Sequence, residues 1–232
     1  GVERFLCISA AQRDVLVRSG MPAERLVVKH NFVPDPGPVR SGGGDHVLYL
    51  GRLAEPKGVR LLMAAWDVLA ARGGAGVPLV IAGAGPLDRE VAAWAADRDD
   101  VRYVGLYDPE QCREAVARAV AVVAPSLSLE TFGLVVAEAM AAGVPAVAAG
   151  HGAFVELVED GVTGLLHRPG DPASLASRIR EVATDPARSR EMGRAARLRY
   201  EQAFSPAVGL ERLVEEYRAA IAGRTESMGG ST

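Results

Sequence analysis

Two carboxylates stand close together in "SLSLETFGLVVAEAMAAGVP", residues 126 to 145: Glu130 in a polar loop and Glu138 inside an apolar helical stretch. Val135, Val136, Ala137, Ala139 and Met140 flank Glu138, and a helix that is apolar nearly all round packs tightly on a sheet. A carboxylate among them needs a partner. One reading makes it a surface group, exposed or paired with an arginine. The other makes it the acceptor for a diol, because an ionised carboxylate only accepts and its two oxygens match the paired hydroxyls of a ribose.

The start of that helix carries its own chemistry. Thr131 is read as the N-cap, with Phe132 or Gly133 opening the helix and Gly143-Val144-Pro145 closing it. Free N–H groups and the positive end of the helix dipole make an anion site there, and Gly133 lets a phosphate approach the backbone. The helix from Thr131 to Glu138 is roughly 10 Å long at 1.5 Å per residue, about the reach from a diphosphate to its ribose. Glu130 would be repelled by phosphate but could accept hydroxyls of a group attached beyond it.

Opposite charge comes from "GRLAEPKG", residues 51 to 58. Gly51 and Gly58 give backbone freedom, while Arg52 and Lys57 are two cations that can neutralise a diphosphate without metal. An ordinary basic loop is the alternative. "IAGAGPLDRE" at 81 to 90 resembles a dinucleotide fingerprint, since Gly83 and Gly85 follow a strand. Pro86 and the missing third glycine speak against one and for a close-packed turn beside the ligand.

These loops need a scaffold. Apolar bursts at 46 ("HVLYLG"), 78 ("PLVIAG"), 101 ("VRYVG"), 119 ("AVAVVAP") and 144 ("VPAVAAG") alternate with helical patterns, and a weaker sixth lies at 163 to 167 ("TGLLH"). Strands this apolar are covered on both faces, so the pattern predicts α/β architecture: a doubly wound parallel sheet, Rossmann-like, with ligands beyond the carboxyl ends of the strands. Residues 1 to 30 read as strand then helix, 31 to 45 as a proline- and glycine-rich linker, and 46 to 205 as the sheet domain. Helices are expected over 172 to 184, 187 to 202 and 206 to 222, with a disordered tail at 223 to 232.

Composition excludes other classes. Of 232 residues 49% are hydrophobic and 24% charged, as in a folded protein, and a net charge of −3 gives no general attraction to nucleic acid. Cys7 and Cys112 match no metal spacing and read as reduced thiols; His30, His46, His151 and His167 form no metal set. No apolar run is long enough to span a bilayer and no signal peptide is expected, which points to the cytoplasm.

In order, "GRLAEPKG", "AGAGPL", "APSLSLETFGLVVAEAMAAGVPAV" and "ELVEDGVTGLL" resemble the carboxyl-terminal half of retaining family 4 glycosyltransferases, the group 1 family with the GT-B fold, over residues 46 to 168. The resemblance implies that Arg52 and Lys57, with Gly51, bind a donor diphosphate. It implies that Glu138 binds ribose, that Glu130 contacts the donor sugar, and that the backbone from Thr131 through Phe132, Gly133 and Leu134 holds phosphate. Base contacts fall near Gly105, Leu106 and Tyr107. Arg52, Lys57 and Glu130 would be the catalytic set, with no metal and no cofactor beyond the nucleotide sugar. Glu156 recurs at a family position and is expected to order its loop, a surface role being the alternative.

The same resemblance exposes a deficit: a full member has an entire amino-terminal acceptor domain, and about 30 residues precede the linker here. Residues 1 to 30 look like its remnant, "HNFVP" like the interdomain crossing with Phe32 in place of a glycine, and 206 to 222 like the helix that packs back. Expected partners are a nucleotide sugar, a separate amino-terminal domain and, through exposed apolar positions such as Phe5, Leu6, Leu213 and Tyr217, a second copy. A full-length enzyme could also sit peripherally on the inner face of the membrane. The expected function is transfer of sugar from a nucleoside diphosphate to an acceptor with retention. A non-catalytic binding module or split-enzyme subunit is the alternative, and a dinucleotide oxidoreductase a remote one, since no acid follows a proper fingerprint.

Overall fold

The computed structural model describes residues 2–37 and 43–229, the last seven of these as backbone. The chain begins with β1 (Phe5–Cys7), α1 (Ala10–Arg18) and β2 (Leu26–Val28), and β1 and β2 pair in parallel as a small sheet of their own. Strand and helix were expected here; the second strand was not, because "LVV" is too short to stand out as a burst.

The main sheet follows as β3 (His46–Leu50), α2 (Val59–Ala70), β4 (Leu79–Ala82), α3 (Asp88–Ala96), β5 (Val101–Gly105), α4 (Pro109–Ala117), β6 (Ala119–Ala124), α5 (Leu134–Ala141), β7 (Ala146–Ala149), α6 (Phe154–Leu157) and β8 (Gly164–His167). All six predicted strands are present and pair in parallel, in the order β5-β4-β3-β6-β7-β8. Every residue of β4, β6 and β7 is buried. Along β3, β4 and β6 side chains alternate between two layers: Val47, Ile81 and Val123 pack with Leu62, Trp66 and Ile179, while Leu48, Val80 and Val122 pack with Val116, Ala139 and Val144. Burial on both faces is what a continuous apolar strand requires.

Strand order decides where a ligand can sit. The chain leaves β3 toward β4 and β5, then crosses back to lay β6 on the other side of β3. The loops after β3 and β6 therefore diverge from neighbouring strands and leave a crevice between them. "AGAG" forms a packed turn beneath the first of these loops. A Cβ on Gly83 would lie 1.8 Å from the Gly51 carbonyl oxygen, and one on Gly85 2.4 Å from that of Leu53. Leu53 N donates to Ala84 O at 2.9 Å, and Leu87 N to Leu53 O at 3.0 Å.

Three helices complete the chain: α7 (Pro172–Ala183), α8 (Pro186–Ala203) and α9 (Pro206–Gly229). Asp171 and Asp185 cap the first two, each followed by proline at the first helical position, where its missing N–H costs nothing. The third runs to Gly229, past the predicted stop at 222 and into the stretch predicted to be disordered; residues 230–232 lie outside the described residues. Positions 38–42 of the predicted linker also lie outside them. Its first half is pinned rather than loose. Val33 N donates to Phe204 O, Tyr200 Oη to Val33 O, and Arg197 grips Asp35 with both terminal nitrogens. Phe32 fills the space over Gly209, where a Cβ would lie 2.2 Å from its ring. Phe5, Leu6 and Tyr217 are exposed as expected, while Leu213 is half-buried.

Candidate functional site

The crevice between the loops after β3 and β6 is a cleft of about 320 Å³. Gly51, Arg52 and Lys57 line one wall, and Ser126 with Glu130 through Leu134 line the other. Ile8 and Asn31 of the amino-terminal segment close one side. Residues far apart in sequence but assigned to one site thus share one cavity.

The second wall is built on a turn, not on a threonine cap. Helix α5 starts at Leu134 and its N-cap is Gly133, at φ 93° and ψ 59°; Thr131 makes no capping bond. A Cβ on Gly133 would lie 2.5 Å from Cε1 of Phe154, so packing as well as the left-handed backbone requires glycine here. The expected cap fails because the chain reverses at Gly133 and leaves Thr131 two residues short of the helix. The helical span before Glu138 is correspondingly shorter, roughly 8 Å. The N–H groups of Phe132, Gly133 and Leu134, residues that line the cleft, donate to no acceptor among the described residues.

The charges are arranged unexpectedly. Lys57 Nζ donates to Glu130 Oε1 at 2.6 Å, and Ser126 Oγ donates to the same oxygen at 2.6 Å. Glu130 is largely buried, its side chain 15% exposed against 42% for Lys57. Arg52 is exposed, and its guanidinium has no ion pair among the described residues. Its carbonyl accepts from the hydroxyl of buried Tyr49 at 2.9 Å. Burial, with the Glu130 carboxylate nearby, pushes the Tyr49 phenol well above its usual value. The Glu130 loop is held at several points. Leu127 N donates to Pro56 O, Ala153 N to Glu130 O, and the His151 ring Nε2 to Ser126 O at 2.9 Å.

Glu138 faces a neighbouring cleft of about 650 Å³, lined also by Asp35, Pro109, Cys112 and Arg113, which meets the first at Leu50. Among the described residues no cation pairs with it, which removes the arginine-paired reading. Its side chain reaches solvent, yet the protein around it withdraws enough water to push its carboxyl upward in pKa. Leu106 is 75% exposed beyond the end of β5, and Tyr107 lies in a third hollow with Arg102, Glu114 and Arg118. The structure therefore brings together every expected residue except Glu138, which is next door, and Gly105 to Tyr107, which line neither cleft.

Sequence reasoning gave Glu156 a place in its own loop; its carboxylate instead leaves that loop. Oε2 accepts from Ala10 N and Oε1 from Ala11 N, both at 2.8 Å, at the start of α1. His30 Nε2 adds a third bond at 3.1 Å. Among the described residues no three histidine, cysteine, aspartate or glutamate side chains gather to hold a metal ion, and no helix is long and apolar enough to cross a membrane.

A family model described as "Glycosyl transferases group 1" matches residues 44–185, the whole span that carries both loops. The chain belongs to this family. The glycogen synthase of Mycobacterium tuberculosis (strain ATCC 25618 / H37Rv) is 36% identical over 191 residues, covering 79% of this chain and 45% of its own. The amylovoran biosynthesis glycosyltransferase AmsK of Erwinia amylovora is 28% identical over 226 residues, covering 92% and 55%. The chain thus spans about half the length of these curated relatives. Among solved structures, Anabaena Alr3699/HepE in complex with UDP-glucose superposes with a TM-score of 0.82 at 23% identity, over 94% of this chain and 64% of that one. The group 1 chain has the same Rossmann-like α/β fold.

Proposed function

We propose that this chain is the donor-binding half of a retaining glycosyltransferase that moves a sugar from a nucleoside diphosphate to an acceptor hydroxyl. The observation that carries the reading is the cleft itself: free backbone donors at Phe132 to Leu134 stand across from Arg52 and Lys57. Two cations and a helix start complement a diphosphate without a metal ion, and no cofactor beyond the nucleotide sugar is needed. Glu138 accepts the ribose hydroxyls in the adjoining cleft, with Gly105 to Tyr107 toward the base. Glu130, at the inner end beside Lys57, accepts hydroxyls of the donor sugar. A uridine donor is the first to try, given the complex reported for Anabaena Alr3699/HepE.

Catalysis on this reading is stabilisation of the departing diphosphate by preorganised positive charge. Arg52, Lys57 and the turn at Gly133 bind the charge that grows on the leaving oxygens. The departing phosphate then helps deprotonate the acceptor hydroxyl on the face it leaves, which retains the anomeric configuration. Residues 2–30 belong to an acceptor-binding domain, and the 232-residue chain alone binds donor without transferring sugar. The working compartment is the cytoplasm.

Calorimetric titration with UDP-, GDP- and ADP-sugars tests the reading, alongside uridine and pyrophosphate. Binding of one nucleotide sugar, unchanged by EDTA, is expected. Absence of binding for all three would overturn it. A transfer assay with and without a supplied amino-terminal domain separates the binding module from the complete enzyme.

A further inference from the structure

Helix α1 is capped twice over, once from within and once from across the molecule. Ser9 Oγ accepts from Gln12 N at 3.0 Å, the ordinary local cap. The two preceding donors, Ala10 N and Ala11 N, are taken by Glu156, which lies on the four-residue helix α6. A carboxylate only accepts, so His30 Nε2 carries the proton in its bond to the same group. Glu156 is 18% exposed at its side chain, and its helix is fastened from behind by Arg199, which donates to Glu156 O at 2.6 Å and Leu157 O at 2.9 Å.

Both ends of this arrangement touch the cleft. His30 sits against two aromatic rings, 5.6 Å from Phe204 and 6.4 Å from Phe132, which lie 5.9 Å from each other. Phe132 is 2% exposed, so its ring is fixed in the core, and the same residue lines the cleft. Helix α6 also carries Phe154, whose ring underlies Gly133. On the other side, Ile8 and Asn31, each next to a residue of this network, form the cleft wall.

We propose that Glu156 is a positioning residue for the donor cleft: by capping α1 and holding His30 against Phe132, it couples the seat of the amino-terminal β1–α1–β2 segment to the Phe132–Gly133–Leu134 turn. Coupling of this kind is reciprocal, so an anion that orders the turn also tightens α1 on its cap. Only the identity of that anion, a diphosphate, rests on the proposed function.

Amide hydrogen exchange on the ligand-free chain tests the coupling. Glu156→Gln keeps size but cannot accept all three bonds, and His30→Phe keeps the ring and removes the donor. Exchange is expected to rise in Glu156→Gln at Ala10 and Ala11 and also at Val136 and Ala137, whose N–H groups donate to Gly133 O and so report on the turn, by roughly fivefold or more, the lower end of ordinary site-to-site coupling. In His30→Phe it should rise at the turn. Faster exchange at Ala10 and Ala11 with an unchanged turn would mean that Glu156 merely caps a helix, and would overturn the proposal. Should either variant fail to fold, the wild-type chain decides. Saturating UDP should extend protection from the turn to Ala10 and Ala11, and protection confined to the turn overturns the coupling. Failure of UDP to bind at all counts against the donor reading, while the ligand-free comparison still decides the role of Glu156.

Discussion

Lys57 Nζ lies 2.6 Å from Glu130 Oε1, so the cation assigned to phosphate and the acid assigned to sugar are partners within the cleft. The pair removes the repulsion that an uncompensated Glu130 would exert on an incoming phosphate. It also makes Lys57 and Arg52 unequal, because Lys57 must be shared and Arg52 has no ion pair among the described residues.

Arg52→Ala and Lys57→Ala should each weaken binding of a nucleoside diphosphate roughly 10- to 150-fold, the worth of one charged hydrogen bond, with little effect on the bare nucleoside. Lys57→Ala should lose more, since it also leaves Glu130 without its counter-charge. Glu130→Gln should spare or strengthen binding of free UDP, because it releases Lys57, and weaken only the sugar-bearing donor. Calorimetry on UDP, UDP-sugar and uridine checks this; equal losses for uridine would refute the clamp.

Glu138→Gln should impair ribonucleotide binding and abolish discrimination against 2′-deoxyribose, since the lost acceptor and the lost hydroxyl are one interaction. Its pH dependence has two signs. Burial raises the carboxyl pKa above 4.5, so the folded state holds its proton longer than the unfolded one. The contribution of this group to stability therefore falls as pH rises through the raised value. Nucleotide binding should climb over the same interval, because only the ionised form accepts both hydroxyls. Melting curves and titrations across the carboxylate range, wild type against Glu138→Gln, read both trends; additive losses in the deoxyribose cycle would give Glu138 another role.

Gly133→Ala forces a Cβ into the left-handed region and onto Phe154. About 1–2 kcal/mol for the backbone and a further ~1–3 kcal/mol for overpacking are expected, read as a drop in Tm with loss of diphosphate binding. A variant of wild-type stability and affinity would show that the turn is not as tight as it looks.

Hydrogen bonding to Arg197, with Gly37 N adding to it, holds the Asp35 carboxyl below its usual 3.8. A lowered folded value means stabilisation that is fully present above the unfolded pKa and lost as pH falls through the folded one. Asp35→Asn should thus flatten acid unfolding at the low end while costing less than about 1 kcal/mol at pH 7, because Asp35 is half exposed and solvent screens its charge. Urea titrations at neutral pH and below pH 4 measure it.

The sheet was readable because β4, β6 and β7 are apolar at every position and admit one kind of environment. The two loops were readable because cations, glycines and acids there follow strands. What could not be read is long-range or conformational. Thr131 looks like a cap until the left-handed backbone at Gly133 is known. The Lys57–Glu130 pair joins residues 73 apart, and Glu156 reaches 146 residues back to Ala10. Neither contact leaves a local pattern. That Tyr107 lines a separate hollow with Arg102 and Arg118 is likewise a matter of how the chain leaves β5, which its place in the sequence does not specify.

The crossing back from β5 to β6 has a consequence for how the molecule is made. Val47 pairs with Ala121 and Leu48 with Val122, so the seam beneath the cleft joins segments that emerge far apart during synthesis. Closing so long a loop is entropically slow, while β6–β7 and β7–β8 can form from neighbouring chain. The two walls of the cleft face each other only once that central seam has zipped. A nucleotide bound as proposed would then favour the fully closed sheet by mass action, and act as a ligand chaperone for this chain during refolding.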